Sequence, residues 1–226
     1  MNDHDPQANT FHITVRAVRP DDQARILTLL DQARRQVLTF GPEDLPALLT
    51  SDQISGAVAE TGPLLWGFLL TSLLAQPALP GETPDAWATL RGCALLSGWR
   101  ADEGLPALWE PVAAALSRRR VQAVVHIARA EWLHGPLQHL GFQISDTLEV
   151  LQRGVGIDHA SDGAGPATLR PARPDEVPAL QAVDSAAFAP PWRTTAADLT
   201  GLLVMSSHAV VAEVEGQVMG YAVSDV

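Results

Sequence analysis

Lysine is absent from this 226-residue chain and cysteine occurs once, at Cys93. A single cysteine excludes an intramolecular disulfide and a cysteine-based zinc site. Every basic residue is arginine, which reads as codon bias of a GC-rich genome and not as chemistry. Positive charge is also short: 15 basic residues face 26 acidic ones, for a formal net charge of −11. The acidic excess extends over both the first and the last part of the chain and repels phosphate backbones, so no nucleic-acid partner is expected. Long apolar runs are missing too. The longest, Leu64 to Ala75, is interrupted by Thr71 and Ser72 and is too short to span a bilayer, so no membrane partner is expected. Met1 to Thr10 is polar and lacks a signal-peptide pattern, which makes the cytoplasm the expected location.

Hydrophobic residues make up 46% of the chain, enough for a packed core. The strongest internal feature is a repeat. Thr14-Val15-Arg16-Ala17-Val18-Arg19-Pro20-Asp21-Asp22 returns as Thr168-Leu169-Arg170-Pro171-Ala172-Arg173-Pro174-Asp175-Glu176. Downstream, Ala59-Glu60 with Gly67 before Phe68 returns as Ala212-Glu213 with Gly220 before Tyr221. The spacing between copies agrees to within one residue at both places. A period of about 150 residues is domain-sized and too long for a solenoid. The expected organisation is a complete first domain over 11–153, a linker over 154–167 rich in Gly, Ser and Asp, and the N-terminal half of a second copy over 168–226.

Periodicity places the elements. Phe11 to Ala17 reads as a strand. Pro20-Asp21-Asp22 opens a helix whose apolar face is Ile26, Leu29, Leu30, Ala33 and Val37, with Arg34 and Arg35 as solvated charge; Phe40-Gly41-Pro42 ends it. Glu43 to Thr50 is a short second helix. Ile54 to Glu60 and Leu64 to Leu74 form a hairpin about Thr61-Gly62-Pro63. Gln76 to Pro84 is a loop, Ala86 to Leu96 a strand, and Trp99 to Gly104 a turn. Leu105, Leu108, Val112 and Leu116 mark a helix closed by Arg118-Arg119-Arg120, cations that complement its dipole. Val121 to Ala128 is a buried strand, Glu131 to Leu140 a helix broken at Gly135-Pro136, and Gln143 to Arg153 one or two further strands. In the second copy Thr168 to Pro171 is a strand, Asp175 to Ala187 a helix, and Val210 to Glu213 with Val218 to Val223 a hairpin about Glu215-Gly216. The half-length second copy is expected either to continue in a longer protein, or to reflect an interrupted reading frame, or to be completed by another chain, in which case the strand over Val218 to Val223 leaves an edge through which a homodimer would form.

Individual residues admit two readings. His134 and His139 do not share a helix face, and with His126 they make no metal pair. Cys93 is expected buried as a small hydrophobe. Glu60 and Glu213 end equivalent strands and read as hairpin solvation, with a general-base role as the alternative. Trp66, Trp87, Trp109 and Trp132 are expected to pack the core or the interface between the copies. Trp192 follows Pro190-Pro191 in a loop and reads either as a staple or as a substrate-lining residue.

The order β-α-(α)-β-β-β-α-β-α-β resembles the GNAT (GCN5-related) N-acetyltransferases. The resemblance rests on the strand before Arg19-Pro20-Asp21-Asp22, on Trp99-Arg100 with Leu108 downstream, on Leu137-Gln138-His139-Leu140-Gly141-Phe142, and on Phe188-Ala189-Pro190-Pro191-Trp192 in the second copy. It implies an α/β fold with a mixed sheet, a GNAT-like acyl-CoA N-acyltransferase fold. It also implies acetyl-CoA as co-substrate and an amine acceptor on a small molecule or a peptide N-terminus. In the family, a splayed parallel strand pair admits the pantetheine arm. A Gly-rich turn and the following helix N-terminus hold the pyrophosphate, because free N–H groups and the helix dipole favour anions. Carried onto this chain, the cofactor-binding residues are Leu95, Leu96, Arg100, Ala101 and Gly104, and the substrate residue is Trp192. The chain departs from the pattern where Ala101, Glu103 and Leu105 stand for glycines, where Asp102 and Glu103 oppose a diphosphate, and where Leu137 stands for the usual acid tyrosine. No catalytic residue is assigned. A non-catalytic GNAT-like binding or dimerisation module is therefore the competing expectation.

Overall fold

The computed structural model describes residues 12–74, 86–147, 165–189 and 192–224. The chain divides into two units, the first formed by Met1–Leu74 with Ala86–Gln143 and the second by Ala75–Asp85 with Ile144–Val226.

The first unit is built on a mixed sheet. Its strands are β1 (Thr14–Ala17), β2 (Arg35–Leu38), β3 (Ile54–Thr61), β4 (Leu64–Leu74), β5 (Trp87–Leu95) and β6 (Ala123–Val125), and its helices are α1 (Gln23–Gln32), α2 (Leu45–Thr50), α3 (Ala101–Arg118) and α4 (Glu131–His139). The order is β1-β3-β4-β5-β2, with β6 also pairing β5. All pairs are antiparallel except β5 with β6. Alternation sends apolar side chains to both faces, so two cores form. Ala57, Leu69, Leu90 and Cys93 pack under α3 and α4, against Leu105, Leu108, Leu116 and Leu133. Val58, Phe68, Leu70 and Ala94 pack on the other face against Ile26, Leu29, Leu45 and Leu49 of α1 and α2. Trp66, Trp109 and Trp132 line the first core as expected, and Trp109 meets Phe142 edge-on at 5.3 Å between centroids.

The second unit has a three-stranded sheet, β7 (Thr168–Pro171), β8 (His208–Val214) and β9 (Gln217–Ser224), in the order β7-β8-β9. Helices α5 (Val177–Ala187) and α6 (Ala196–Met205) pack on it through Leu180, Leu199 and Val211. The two units share local geometry as well as sequence. Thr14 pairs with Glu60 and Thr168 with Glu213; β3 and β8 each break register just before that glutamate.

Several expectations change. Val37 does not continue α1. The helix stops at Gln32, Ala33 turns extended, and Arg35–Leu38 becomes a strand because β5 offers it a ladder of hydrogen bonds. The expected turn from Trp99 to Gly104 is shorter, since Ala101 to Gly104 are the first turn of α3. The strand expected over Val121 to Ala128 is confined to Ala123–Val125. Helix α4 runs unbroken through Gly135-Pro136. Residues 143–147 carry no strand, while the rest of the stretch to Arg153, the loop from Gln76 to Pro84 and most of the linker lie outside the described residues. Helix α6 was not anticipated, because its sequence is apolar nearly all round.

Candidate active site

The candidate site lies where β5 and β6 meet. They pair in parallel only at their starts, Trp87 with Ala123 through Thr89 with Val125. Strand β6 ends at Val125, β5 continues to Leu95, and α3 begins six residues later. A parallel pair that parts in this way leaves a strand edge and a helix N-terminus at one end of the sheet.

That edge is already taken. Beyond Thr89 the chain's own β2 lies antiparallel along β5, with Leu38 opposite Gly92, Val37 opposite Cys93, Gln36 opposite Ala94 and Arg35 opposite Leu95. The next residue extends the ladder, since Thr39 donates its backbone N–H to the Arg91 carbonyl at 2.9 Å and its hydroxyl to the same oxygen at 3.1 Å. Packing holds the arrangement. A Cβ on Gly92 would lie 2.9 Å from the Phe40 ring and 3.2 Å from Leu38, so glycine there lets the segment after β2 sit directly on the sheet.

The residues carried over as cofactor-binding sit as follows. Leu95 is buried in the first core and Leu96 packs on the second. The Leu96 N–H is spent on the Trp66 carbonyl at 2.7 Å, and those of Glu103 and Gly104 on the Arg100 carbonyl at 3.2 and 2.8 Å. Gly104 makes room for an indole: a Cβ there would be 2.9 Å from Trp99. A Cβ on Gly67 would lie 3.1 Å from the same ring, so Trp99, buried to 8% exposure, fills the space between β4 and the first turn of α3. Arg100 is exposed and turns back on its own helix, donating to Asp102 at 3.0 and 2.6 Å. This Arg100 hydrogen bond holds the Asp102 carboxyl below the usual carboxylate range, and Asp102 also accepts its own backbone N–H. A carboxylate thus occupies the anion-attracting end of α3, next to Ala101. Leu137 is buried in the first core.

Two ion networks were read from sequence only as strand-end glutamates. In the first unit Arg16 bridges Asp22 at 2.7 Å and Glu60 at 2.8 Å, and Arg25 adds a second guanidinium on Glu60 at 2.7 Å. In the second, Arg170 bridges Glu176 and Glu213, each at 2.6 Å. Glu60 and Glu213 are therefore paired and not merely solvated, which corrects the expectation. Burial pushes Asp22 up, but the Arg16 hydrogen bonds and the Arg19 N–H outweigh it, so its pKa is lowered; Arg16 does the same to Glu60. Arg170 pulls Glu176 down to about 2. Asp22 and Glu176 also cap the helices that follow by accepting the N–H of Arg19 and Arg173, both at 2.8 Å. The arginines before each turn were the available signal: Arg16 and Arg170 recur at the same place in the repeat.

Trp192 lies between α5 and α6, as expected for a loop residue. Its indole N–H donates to Asp146 at 3.0 Å. The loop after it is tied down by Asp184, 1% exposed, which accepts from the Thr194 N–H at 2.6 Å, its hydroxyl at 3.0 Å and the Tyr221 hydroxyl at 2.7 Å. Cys93 is fully buried, and burial pushes its thiol up to about 12. No metal-holding group of His, Cys, Asp or Glu exists among the described residues. No described helix is long and apolar enough to cross a membrane.

No family model matches the sequence, and no curated protein does. Solved structures do match. An aminoglycoside 6'-N-acetyltransferase, AAC(6')-Ih from Acinetobacter baumannii, is 15% identical over 64% of this chain and 100% of its own, with a TM-score of 0.50. AAC(6')-Iy in complex with the bisubstrate analogue CoA-S-monomethyl-acetylneamine is 15% identical over 63% and 99%, also at 0.50. A mutant of the BH1408 protein from Bacillus halodurans is 13% identical over 62% and 99%, at 0.51. At such identities the likeness speaks for architecture, and the architecture of this chain is the mixed α/β fold of the GNAT N-acetyltransferases.

Proposed function

We propose that the chain is part of a GNAT-type N-acetyltransferase that moves acetyl from acetyl-CoA to an amine of a small molecule or a peptide N-terminus, and that its first unit is the non-catalytic copy of a tandem pair. The observation that carries the reading is the parallel β5–β6 pair that parts after Thr89, with α3 starting just beyond β5. The CoA-linked ligand of one structural neighbour supports acetyl-CoA, and the aminoglycoside acetyltransferases support an amine acceptor. The tandem reading draws on the recurring Arg-acid-Glu networks and on the matched registers of β1 with β3 and β7 with β8. On this reading 11–153 is the first copy and 168–226 the front half of the second. Leu95, Leu96, Arg100, Ala101 and Gly104 mark the ancestral cofactor end of the first copy, and Trp192 borders the acceptor side of the second.

The alternative, a non-catalytic GNAT-like binding or dimerisation module, is favoured by one specific arrangement. Strand β2 occupies the β5 edge along which a pantetheine arm would lie, while Asp102 occupies the helix end that would meet phosphate. Strand β9 is an edge strand within the described sheet and could take a partner strand of a second copy.

One measurement tests the closed first copy common to both readings, and a second divides them. Calorimetric titration of acetyl-CoA into the 226-residue chain should show no saturable binding at high micromolar cofactor; one-site binding would overturn the closed first copy. Transfer of labelled acetyl to a panel of aminoglycosides and N-terminal peptides by the native gene product should be detectable. Its absence with every acceptor would retire the enzyme and leave the module.

A further inference from the structure

The second unit holds an open groove of about 900 Å³ between α5 and the β8–β9 hairpin. The repeat explains why it exists. Counting from the shared opening, the α5 positions Ala179, Ala182, Val183 and Ala186 line the groove; Arg25, Thr28, Leu29 and Gln32 stand at the same places of α1. Every one of the four is smaller in the second unit.

The largest loss is at Ala179. In the first unit Arg25 lies across this site. Its guanidinium donates to Glu60 Oε2 at 2.7 Å, to the Gly62 carbonyl at 3.1 Å and to the Pro63 carbonyl at 3.1 Å. In the second unit the matching glutamate, Glu213, is retained and lines the groove beside Gly216 of the hairpin turn. Arg170 reaches it only at Oε2, through Nε at 2.7 Å and Nη2 at 2.6 Å. Among the described residues Glu213 Oε1 accepts no hydrogen bond. Arg173 borders the same groove, but its guanidinium is engaged by Glu176 at 3.0 Å and Asp175 at 3.7 Å.

We infer that this groove binds a guanidinium carried on an aliphatic stem, with Glu213 Oε1 as the anionic anchor and the Ala179–Ala186 face of α5 as the floor for the stem. The first unit supplies the pattern, because there the chain's own Arg25 is that ligand. A carboxylate oxygen left open beside an apolar trough suits a planar fork better than a compact ammonium. The four charged side chains at the groove sum to zero, so recognition is local to Glu213 and affinity is modest. The site is independent of acetyl transfer and is tested without it.

The probe is agmatine, titrated into the 226-residue chain by calorimetry and by NMR shift mapping. Saturable binding with a Kd of about 1 mM is expected. Ala179 is exposed on α5, so Ala179→Arg should fold, as circular dichroism would verify. The new side chain should fill the groove, raise the melting temperature and weaken agmatine by at least about tenfold. Conversely, Arg25→Ala should open the counterpart site and add a second agmatine site, mapped to the first unit. N-acetylarginine amide distinguishes a peptide side chain from a free guanidino compound, according to which probe binds tighter. No saturation by either probe, unchanged affinity in a folded Ala179→Arg protein, or equal binding of cadaverine would overturn the inference.

Discussion

Arg16 shows how much a single side chain can decide. It holds Asp22 at 2.7 Å and Glu60 at 2.8 Å, whereas Arg25 meets Glu60 at 2.7 Å but Asp22 only at 3.5 Å, and Asp22 is 3% exposed. Replacing it with Ala would strand a nearly buried carboxylate, so Arg16→Ala should cost about 2 kcal/mol by urea unfolding, a figure discounted for the part of the network that water reaches. Arg25→Ala leaves Arg16 in place and should cost less. Cys93 offers a second residue-level check. Its thiol is fully buried and pushed up to about 12, so it should resist a disulfide-exchange reagent in the native state and react once the protein unfolds.

Among the elements, β2 carries the proposed closure of the β5 edge. Its four residues and Thr39 satisfy the β5 edge over 91–95. Val37→Pro removes a backbone donor and forces φ at the middle of this strand, at a cost of about 3 kcal/mol. If β2 is the element that closes the cleft, amide exchange in β5 should speed up selectively at 91–95 while the 87–89 pairing with β6 keeps its protection. Uniform acceleration along β5 would show instead that β2 is only part of a general cooperative unit. Helix α3 gives a packing counterpart: Leu105 and Leu108 are fully buried under the sheet, and either to Ala should cost about 2–5 kcal/mol.

Over the whole molecule, ionisable groups set the pH window. Glu176 sits near pKa 2 against an ordinary 4.5, and Asp22 and Glu60 are also lowered. A depressed carboxylate lends stability above its unfolded pKa and loses it as pH falls, so stability should drop from about pH 4.5 toward 2. His126 adds an earlier step. Burial lowers its pKa below 6.5, more than the nearby Leu90 backbone raises it, so the folded state favours neutral imidazole. Its contribution is complete above pH 6.5 and declines below it. Urea midpoints measured from pH 8 to 3 should therefore fall first near 6.5 and again below 4.5, and His126→Gln should remove the first fall alone.

The sequence by itself determined the repeat, the mixed α/β class, the β3–β4 and β8–β9 hairpins and the burial of Cys93. Each follows from local chemistry: alternation, Gly-bearing turns, and a proline followed by acids at a helix start. It also marked Ala101 to Leu105 as a stretch carrying Asp102 and Glu103 and only one glycine, because charge and composition are visible without coordinates. Only the tertiary structure decided that Arg35–Leu38 is a strand, since that segment's conformation is set by hydrogen bonds to β5, more than fifty residues away. The same holds for Trp99 filling the space beside Gly104, and for Glu60 and Glu213 being ion-paired and not solvated. Those outcomes depend on partners brought together by the fold, and a pattern confined to neighbours along the chain does not contain them.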